Sequence, residues 1–411
     1  MNFRPISISL SPNTEKDDVS LAFKLLFQPW RWKKNDKQNR TAEEEFKKYL
    51  GVKHLIFFNS GRSALMGILN SLGLAKDGEV LLQAFTCNAA VNPILWSGLK
   101  PVYTDCSEKT FNIDIEDLKK KITPKSRAVI VQHTFGLPAE MDEILEICRQ
   151  HNLILIEDCA HSLGAEYKGK LAGTFGKAAF FSFSRDKIIS SVYGGLAATD
   201  DDELAERLRE YWDKIGYPSY FWIKQQLLHP VLMNWLILPT YKILGKYLLV
   251  LFQWLRILSK AVHWREKRGW RPGYFPKKMP EALSVLVLKQ FEKLGRLNKH
   301  RKEIAEFYRQ ELKNTSFILP PETEQVYLRF AVRHPKAHEI IKSAWRRNIL
   351  IGDWYTTAIA PHDTKLDKMR YANGSCPTAE KLARETLNLP THINISRRQA
   401  EKIIDFLKPW K

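Results

Sequence analysis

Acidic residues are missing from one long stretch of this chain. Between Asp213 and Glu266 there is no Asp or Glu, although the 411 residues carry 45 of them. Roughly five or six would be expected there at the average density, so the gap calls for a functional reason. Paired cysteines are also missing. The five present (Cys87, Cys106, Cys148, Cys159, Cys376) are odd in number and show no CxxC spacing. That excludes a disulfide framework and a cysteine-built zinc site, and it points to a reducing compartment. No basic start followed by an apolar block opens "MNFRPISISLSPNTEKDD", so no signal peptide is expected. No internal repeat stands out. The longest uncharged run, "QQLLHPVLMNWLILPTY", holds two prolines, a histidine and several amides, and makes a poor spanning helix.

What is present is globular: 44% hydrophobic and 27% charged residues, in a chain long enough for two domains. Seven β-branched or apolar runs read as strands: "HLIFFN", "EVLLQA", "KPVYTD", "AVIVQH", "LILIED", "AAFFSFS" and "GGLAAT". Amphipathic stretches such as "SALMGILNSLG" and "EMDEILEICRQHN" separate several of them. Alternation of this kind predicts an α/β fold, a mostly parallel sheet with helices on both faces. Ligands of such sheets collect beyond the carboxyl ends of the strands. The residues to inspect are therefore Asn59–Ser60–Gly61, Gln132–His133, Glu157–Asp158 and Ser182 to Lys187.

Three features at strand ends converge. "FFNSGRSALMGIL" puts a small-residue turn before a helix, where free amides and the helix dipole hold phosphate. "LILIEDCAHSLGA" ends a strand on Asp158, and "FFSFSRDK" follows another with a lone lysine, Lys187. A phosphate cradle, a carboxylate and a lysine suit pyridoxal 5′-phosphate: the lysine forms a Schiff base and the carboxylate keeps the ring nitrogen protonated. No metal is required, and no metal-ligand spacing is visible.

The chain resembles the sugar aminotransferases of the DegT/StrS group. The resemblance runs through "NSGRSAL", "GLKPVYTDCSEKTFNID", "VIVQHTFGLPAEMDEI", "ILIEDCAHSLGAEYKGKLAGTFGKAAFFSFSRDK", "YGGLAATDD" and "CPTAEKLARETLNLPTH". It implies the type I pyridoxal-phosphate aminotransferase fold, a seven-stranded sheet followed by a smaller C-terminal α+β region. By position it makes Lys187 the catalytic, Schiff-base lysine and Asp158 the partner of the ring nitrogen. His161 would contact the ring or its hydroxyl, Ser182 the phosphate, and Arg62 and Ser63 the phosphate turn. Two departures stand out: the family usually has threonine at Arg62, and at Cys87 an aromatic that stacks on the ring. His133 is placed either toward the substrate or against a loop carbonyl, and Arg185 either on a phosphate or in solvent.

The acid-free stretch retains Lys214, Lys224, Lys242, Lys246, Arg256, Lys260 and Arg265, and is rich in tryptophan. "YKILGKYLLVLFQWLRILSK" reads as one helix with Lys242, Lys246, Gln253, Arg256 and Lys260 along a stripe. A basic stripe against a wide apolar face describes a helix lying in a membrane interface, or one packed on the protein itself or on a second subunit. Nucleic acid fits worse, because the basic residues are spread between apolar runs and not clustered.

The division expected is an N-terminal arm (1–44), a cofactor-binding domain (45–210), an insert (211–275) and a small C-terminal domain (276–411). The resemblance implies amination of a keto group on a nucleotide-linked sugar, with glutamate as donor, for surface-polysaccharide biosynthesis. It also implies a homodimer. The expected location is cytoplasmic, with peripheral membrane contact through 211–270. Two alternatives are a lyase or dehydratase on the same scaffold, and a non-catalytic membrane-bound regulator or scaffold. Lys187 argues against the form of dehydratase that carries histidine there.

Overall fold

The structure, a computed structural model, describes residues 4–33 and 36–410. Of the arm expected over 1–44, residues 1–3, 34 and 35 lie outside the described residues. All seven apolar runs are strands of one sheet: β1 (His54–Phe58), β2 (Glu79–Gln83), β3 (Lys100–Thr104), β4 (Ser126–Gln132), β5 (Ile154–Asp158), β6 (Ala178–Ser182) and β7 (Gly195–Thr199). Their order is β1-β7-β6-β5-β4-β2-β3. Neighbours pair in parallel except for β7, which is antiparallel to both β1 and β6. The exception has a local cause. A parallel return needs a crossover, usually helical, whereas β6 and β7 are joined by the loop Phe183–Gly194, which contains no helix.

The strands are apolar on both faces because both faces are covered. In β1, Leu55 and Phe57 enter one core while Ile56 and Phe58 enter another. In β6, Ala179 and Phe181 divide from Ala178 and Phe180 in the same way. This period of two buries a phenylalanine on each side, each burial contributing about 1.5–3 kcal/mol. Gly195 marks a close approach: a Cβ there would lie 2.4 Å from the Gly61 amide nitrogen, where the helix Gly61–Ser71 begins. The strand therefore runs against the helix start and brings the β6–β7 loop toward it.

A second, smaller core lies toward the C-terminus. Strands β8 (Phe330–Arg333) and β9 (Thr386–Leu389) pair antiparallel, beneath the helices Leu294–Leu312, Ala337–Arg346 and Arg397–Leu407. Phe330, Ile340, Leu387 and Ile404 are buried between them.

The basic stretch differs from its expected single helix. Tyr220–Leu232 is helical and continues in π-helical turns to Ile237; a second such turn, Tyr241–Gly245, leads into the helix Lys246–Trp254. The two limbs are bent by 111°, and among the described residues no single helix is long and apolar enough to cross a membrane. Leu255 caps the second limb and Arg256 adopts a left-handed backbone with φ 58°. Arg256 and Lys260 are thereby off the helix, so the expected basic stripe is limited to Lys242 and Lys246, with Gln253 half-buried. Beyond Leu255 the chain turns back toward the strand ends of the large sheet.

Candidate active site

At the carboxyl ends of β4, β5 and β6 lies a cavity of about 180 Å³. Its lining includes Gln132, Asp158, His161, Ser182, Asp186 and Lys187. Alternation along the strands selects which polar residue reaches it. Asp158 faces the cavity, whereas the preceding Glu157 points away and is fully buried. One Glu157 oxygen accepts from the amides of Phe175 and Gly176, and the other from Gly173 and from His133 Nε2. His133 Nδ1 in turn accepts the amide of Ala139 at 3.1 Å. Of the two placements set out for His133, neither holds: it is wholly buried away from the cavity and fastens a loop through a carboxylate and an N–H.

Asp158 is less fully answered. Its Oδ1 accepts the Ala160 amide at 3.0 Å. Burial raises its pKa, opposed by that amide and by the charge of Lys187. Burial likewise lowers the pKa of Lys187, opposed by Asp186 and Asp158. The Lys187 amine is thus closer to its neutral, nucleophilic form than a surface lysine is. Its nitrogen stands over the Trp354 ring at 4.8 Å, and Arg329 is stacked on the same ring at 3.3 Å. The backbone of Lys187 is fixed from outside the loop: Asn13 Nδ2 donates to its carbonyl, and buried Arg301 donates to Ile188 O at 2.6 Å and to Asn13 Oδ1 at 2.7 Å.

The helix Gly61–Ser71 starts at the cavity wall. Ser60 caps it, accepting the Ser63 amide at 3.1 Å, while the Ala64 amide is taken by Ser60 O. The cap takes the Ser63 amide and leaves those of Gly61 and Arg62, both in the lining, free for an anion. A Cβ on Gly61 would sit 3.1 Å from Ser182 Cβ, so Ser182 borders the same spot, with Ser184 Oγ 3.3 Å from its hydroxyl. The Ser63 hydroxyl does not line the cavity: it donates to Asn59 Oδ1 at 2.6 Å and accepts from Ser60 Oγ at 3.1 Å. Arg62 does line it, with its Nε 2.6 Å from Glu266 Oε2 and Nη2 donating to Ala261 O at 3.1 Å. Arg185 meets neither of its two expectations. It is buried and grips Ser259, Nη1 to the carbonyl at 2.7 Å and Nη2 to the hydroxyl at 2.6 Å.

His161 is buried, accepts the Phe135 amide at its Nδ1 (3.3 Å), and stacks on Trp354 with centroids 5.4 Å apart. Burial, then the charges of Lys187 and Arg329, hold it neutral. Cys87 lines the cavity as expected from its position, and burial pushes its thiol pKa up, which favours the protonated thiol over the thiolate. Aromatic surface enters instead from Trp354, Tyr355 and Phe180.

The family model described as the DegT/DnrJ/EryC1/StrS aminotransferase family matches residues 16–226 and 252–408. The chain belongs to this family. Residues 227–251, inside the bent helix pair, are left unmatched. A GDP-perosamine synthase of Caulobacter vibrioides is 41% identical over 167 residues, which are 41% of this chain and 45% of that protein. The match to the Escherichia coli O157:H7 GDP-perosamine synthase, 35% identical over 43% of this chain, covers 51% of that protein; the chain thus spans about half the length of these relatives. Among solved structures, the Helicobacter pylori aminotransferase PseC superposes with a TM-score of 0.76 at 21% identity, covering 99% of both chains. At that identity the likeness establishes the type I fold of this DegT/StrS-family chain.

Several lining residues carry no signal in the strand-end reading. Trp354 and Tyr355 come from "GDWYTT", far along the sequence, and Ala261 and Val262 come from the insert. Arg301 and Asn13 act on the Lys187 loop from helix and arm. Only the aromatic pair beside an aspartate in "GDWYTT" offered a cue.

Proposed function

We propose that the protein is a pyridoxal-phosphate-dependent aminotransferase that converts a keto group of a nucleotide-linked sugar to an amine, with glutamate as donor. The observation that carries this reading is the gathering of Lys187, Asp158 and the capped helix start at Gly61 around one cavity, in a chain of this family. The residues fit the cofactor. Gly61 and Arg62 amides with Ser182 offer an anion cradle, Asp158 is a buried carboxyl without a full set of donors, and Lys187 is a buried amine. When bound, the cofactor supplies an electron sink for the carbon that loses and regains a proton.

Each residue then has a task. Lys187 Nζ would hold the cofactor and, once free, would accept and return a proton at the reacting carbon. Asp158 would stabilise positive charge on the ring nitrogen. Neutral His161 would border the ring, and Trp354 seats the Lys187 amine. Ser182 and the Gly61–Arg62 turn would hold the phosphate. Ser63 serves that turn through Asn59 and Ser60, and does not touch the anion itself. Arg62 adds positive charge, partly answered by Glu266.

The nucleotide-sugar substrate rests on relatives named GDP-perosamine synthase and on one named dTDP-4-dehydro-2,3,6-trideoxy-D-glucose 4-aminotransferase. We retain the division into arm, cofactor-binding, insert and small C-terminal regions, a homodimer, and a cytoplasmic setting in surface-polysaccharide biosynthesis. We assign the insert to the inner face of the membrane. The test is a panel of GDP-, UDP- and dTDP-linked keto-sugars with glutamate, read by mass spectrometry for the amino-sugar. Formation of an amino-sugar nucleotide supports the reading. Equal turnover of simple keto acids, with none of the keto-sugars aminated, moves the protein to amino-acid metabolism.

A further inference from the structure

The insert does not stand apart from the cavity. Its return leg, Leu258 to Glu266, forms part of the wall through Ala261 and Val262. Residues of the cofactor-binding region hold that leg at Ser259, Lys260, Ala261 and Glu266. Arg185 donates twice to Ser259, the Tyr193 hydroxyl donates to Lys260 O at 2.7 Å, and Arg62 donates to Ala261 O and pairs with Glu266. Asn92 Nδ2 donates to Glu266 O at 3.0 Å. On the other side, Ser259 Oγ donates to Gln226 Oε1 at 2.7 Å, and Leu258 packs with Met233 and Ile237 beneath the bent helices. Leu255, which ends the helix Lys246–Trp254, is four residues from Ser259, on the order of 14 Å of chain.

The outer face of those helices is apolar and uncovered. Ile243, Tyr247, Val250 and Trp254 recur at helical spacing with Leu244, Leu251 and Leu255 beside them, and all seven are exposed. Around them Lys242, Lys246, Arg256 and Lys260 are exposed, with no acid in the whole stretch. This charge pattern selects the occupant. A two-fold contact between copies is self-complementary, so this face would meet its own lysines with no carboxylate to answer them. An anionic bilayer supplies both an apolar interior and negative headgroups.

We propose that the insert seats on an anionic lipid bilayer and that seating stiffens the Leu258–Glu266 leg, so that the membrane-bound protein retains its cofactor longer. This rests on reading the cavity as the pyridoxal-phosphate site. Coupling of this kind is reciprocal: the bilayer tightens the cofactor by the factor by which the cofactor tightens the bilayer.

The experiment uses the full chain, with and without cofactor, and vesicles of phosphatidylglycerol and phosphatidylcholine in equal parts or of phosphatidylcholine alone. Co-sedimentation measures binding, loss of cofactor absorbance during dilution measures release, and trypsin cleavage after Lys260 and Arg265 reports on the leg. Anionic vesicles should bind the protein, slow cofactor release about fivefold or more, and protect both cleavage sites. Replacing Val250, Leu251 and Trp254 with serine should abolish all three effects while the cofactor content stays normal. Tyr193→Phe, which cuts the tie to Lys260, should keep vesicle binding and lose much of the slowing. Vesicle binding with unchanged release and unchanged cleavage overturns the coupling. A protein that ignores anionic vesicles, or whose serine variant dissociates from dimer to monomer, overturns the bilayer as occupant. If no cofactor binds in any arm, the cavity reading fails, and the trypsin arm alone decides whether the bilayer stiffens the leg.

Discussion

Asp158 and Trp254 are out of place in opposite ways. Asp158 is a carboxyl shut inside the protein with one amide to answer it, whereas Trp254 is an indole left 76% exposed. Each contradicts the usual partition of polar and apolar groups. The proposed cofactor would answer the buried carboxyl, and the proposed bilayer would cover the apolar helix face. Glu157 supplies the control. It adjoins Asp158 and is buried as deeply, yet three amides and His133 satisfy it, so it fastens the Gly173–Gly176 loop.

The contrast can be broken by mutation. Lys187→Ala should have the largest effect, reducing turnover roughly a thousandfold or more, as loss of a nucleophile does, with the fold intact by circular dichroism. Asp158→Asn should lower kcat by about 10²–10³, the scale of a lost electrostatic contact, and leave the melting temperature near that of the parent. Its neighbour should behave in the reverse way. Glu157→Ala strands three loop amides and should destabilise by about 3 kcal/mol or more in urea unfolding, while the folded fraction still takes up cofactor. Comparable losses of turnover in both variants, at equal stability, would erase the distinction between the two carboxyls.

Two smaller effects sharpen it. Burial lowers the Lys187 pKa from 10.5, and the amine attacks an aldehyde only when neutral. The rate of the apoprotein with an aldehyde probe should therefore rise with pH to a midpoint below 10.5. Asp158 opposes this shift, so Asp158→Asn should move the midpoint lower still. A midpoint at or above that of a free lysine would mean that the cavity stays wet. The serine variant at Val250, Leu251 and Trp254 should change the site least: soluble in cell fractions, with an unchanged cofactor spectrum. Leu248 is left in place because it packs inward on the Met233–Ile237 cluster.

The sheet and its ligand end were legible because each strand is an apolar run closing on a polar residue. Asp158 was singled out over Glu157 by its place at the end of the run and by the family resemblance; the alternation that turns Glu157 away from the cavity emerges in the folded strand. The β6–β7 reversal was not legible, since a run such as "GGLAAT" carries no mark of direction. The basic stripe failed for a related reason. Helical spacing was extended through Leu255 to Lys260, where the chain instead turns at Arg256 to reach Arg185 and Tyr193. Partners distant in sequence, such as Arg301 on Ile188 and Trp354 under Lys187, are fixed by tertiary packing, on which local pattern is silent.

The central claim is that Lys187, out of all the lysines of a strongly basic chain, bears the cofactor. The direct measurement is borohydride reduction of the cofactor-loaded protein, followed by digestion and mass mapping of the modified peptide. The account predicts a single modified lysine, Lys187, lost in Lys187→Ala and retained in Asp158→Asn. A modification at any other lysine, or labelling spread over many exposed ones with Lys187 unmodified, would contradict it.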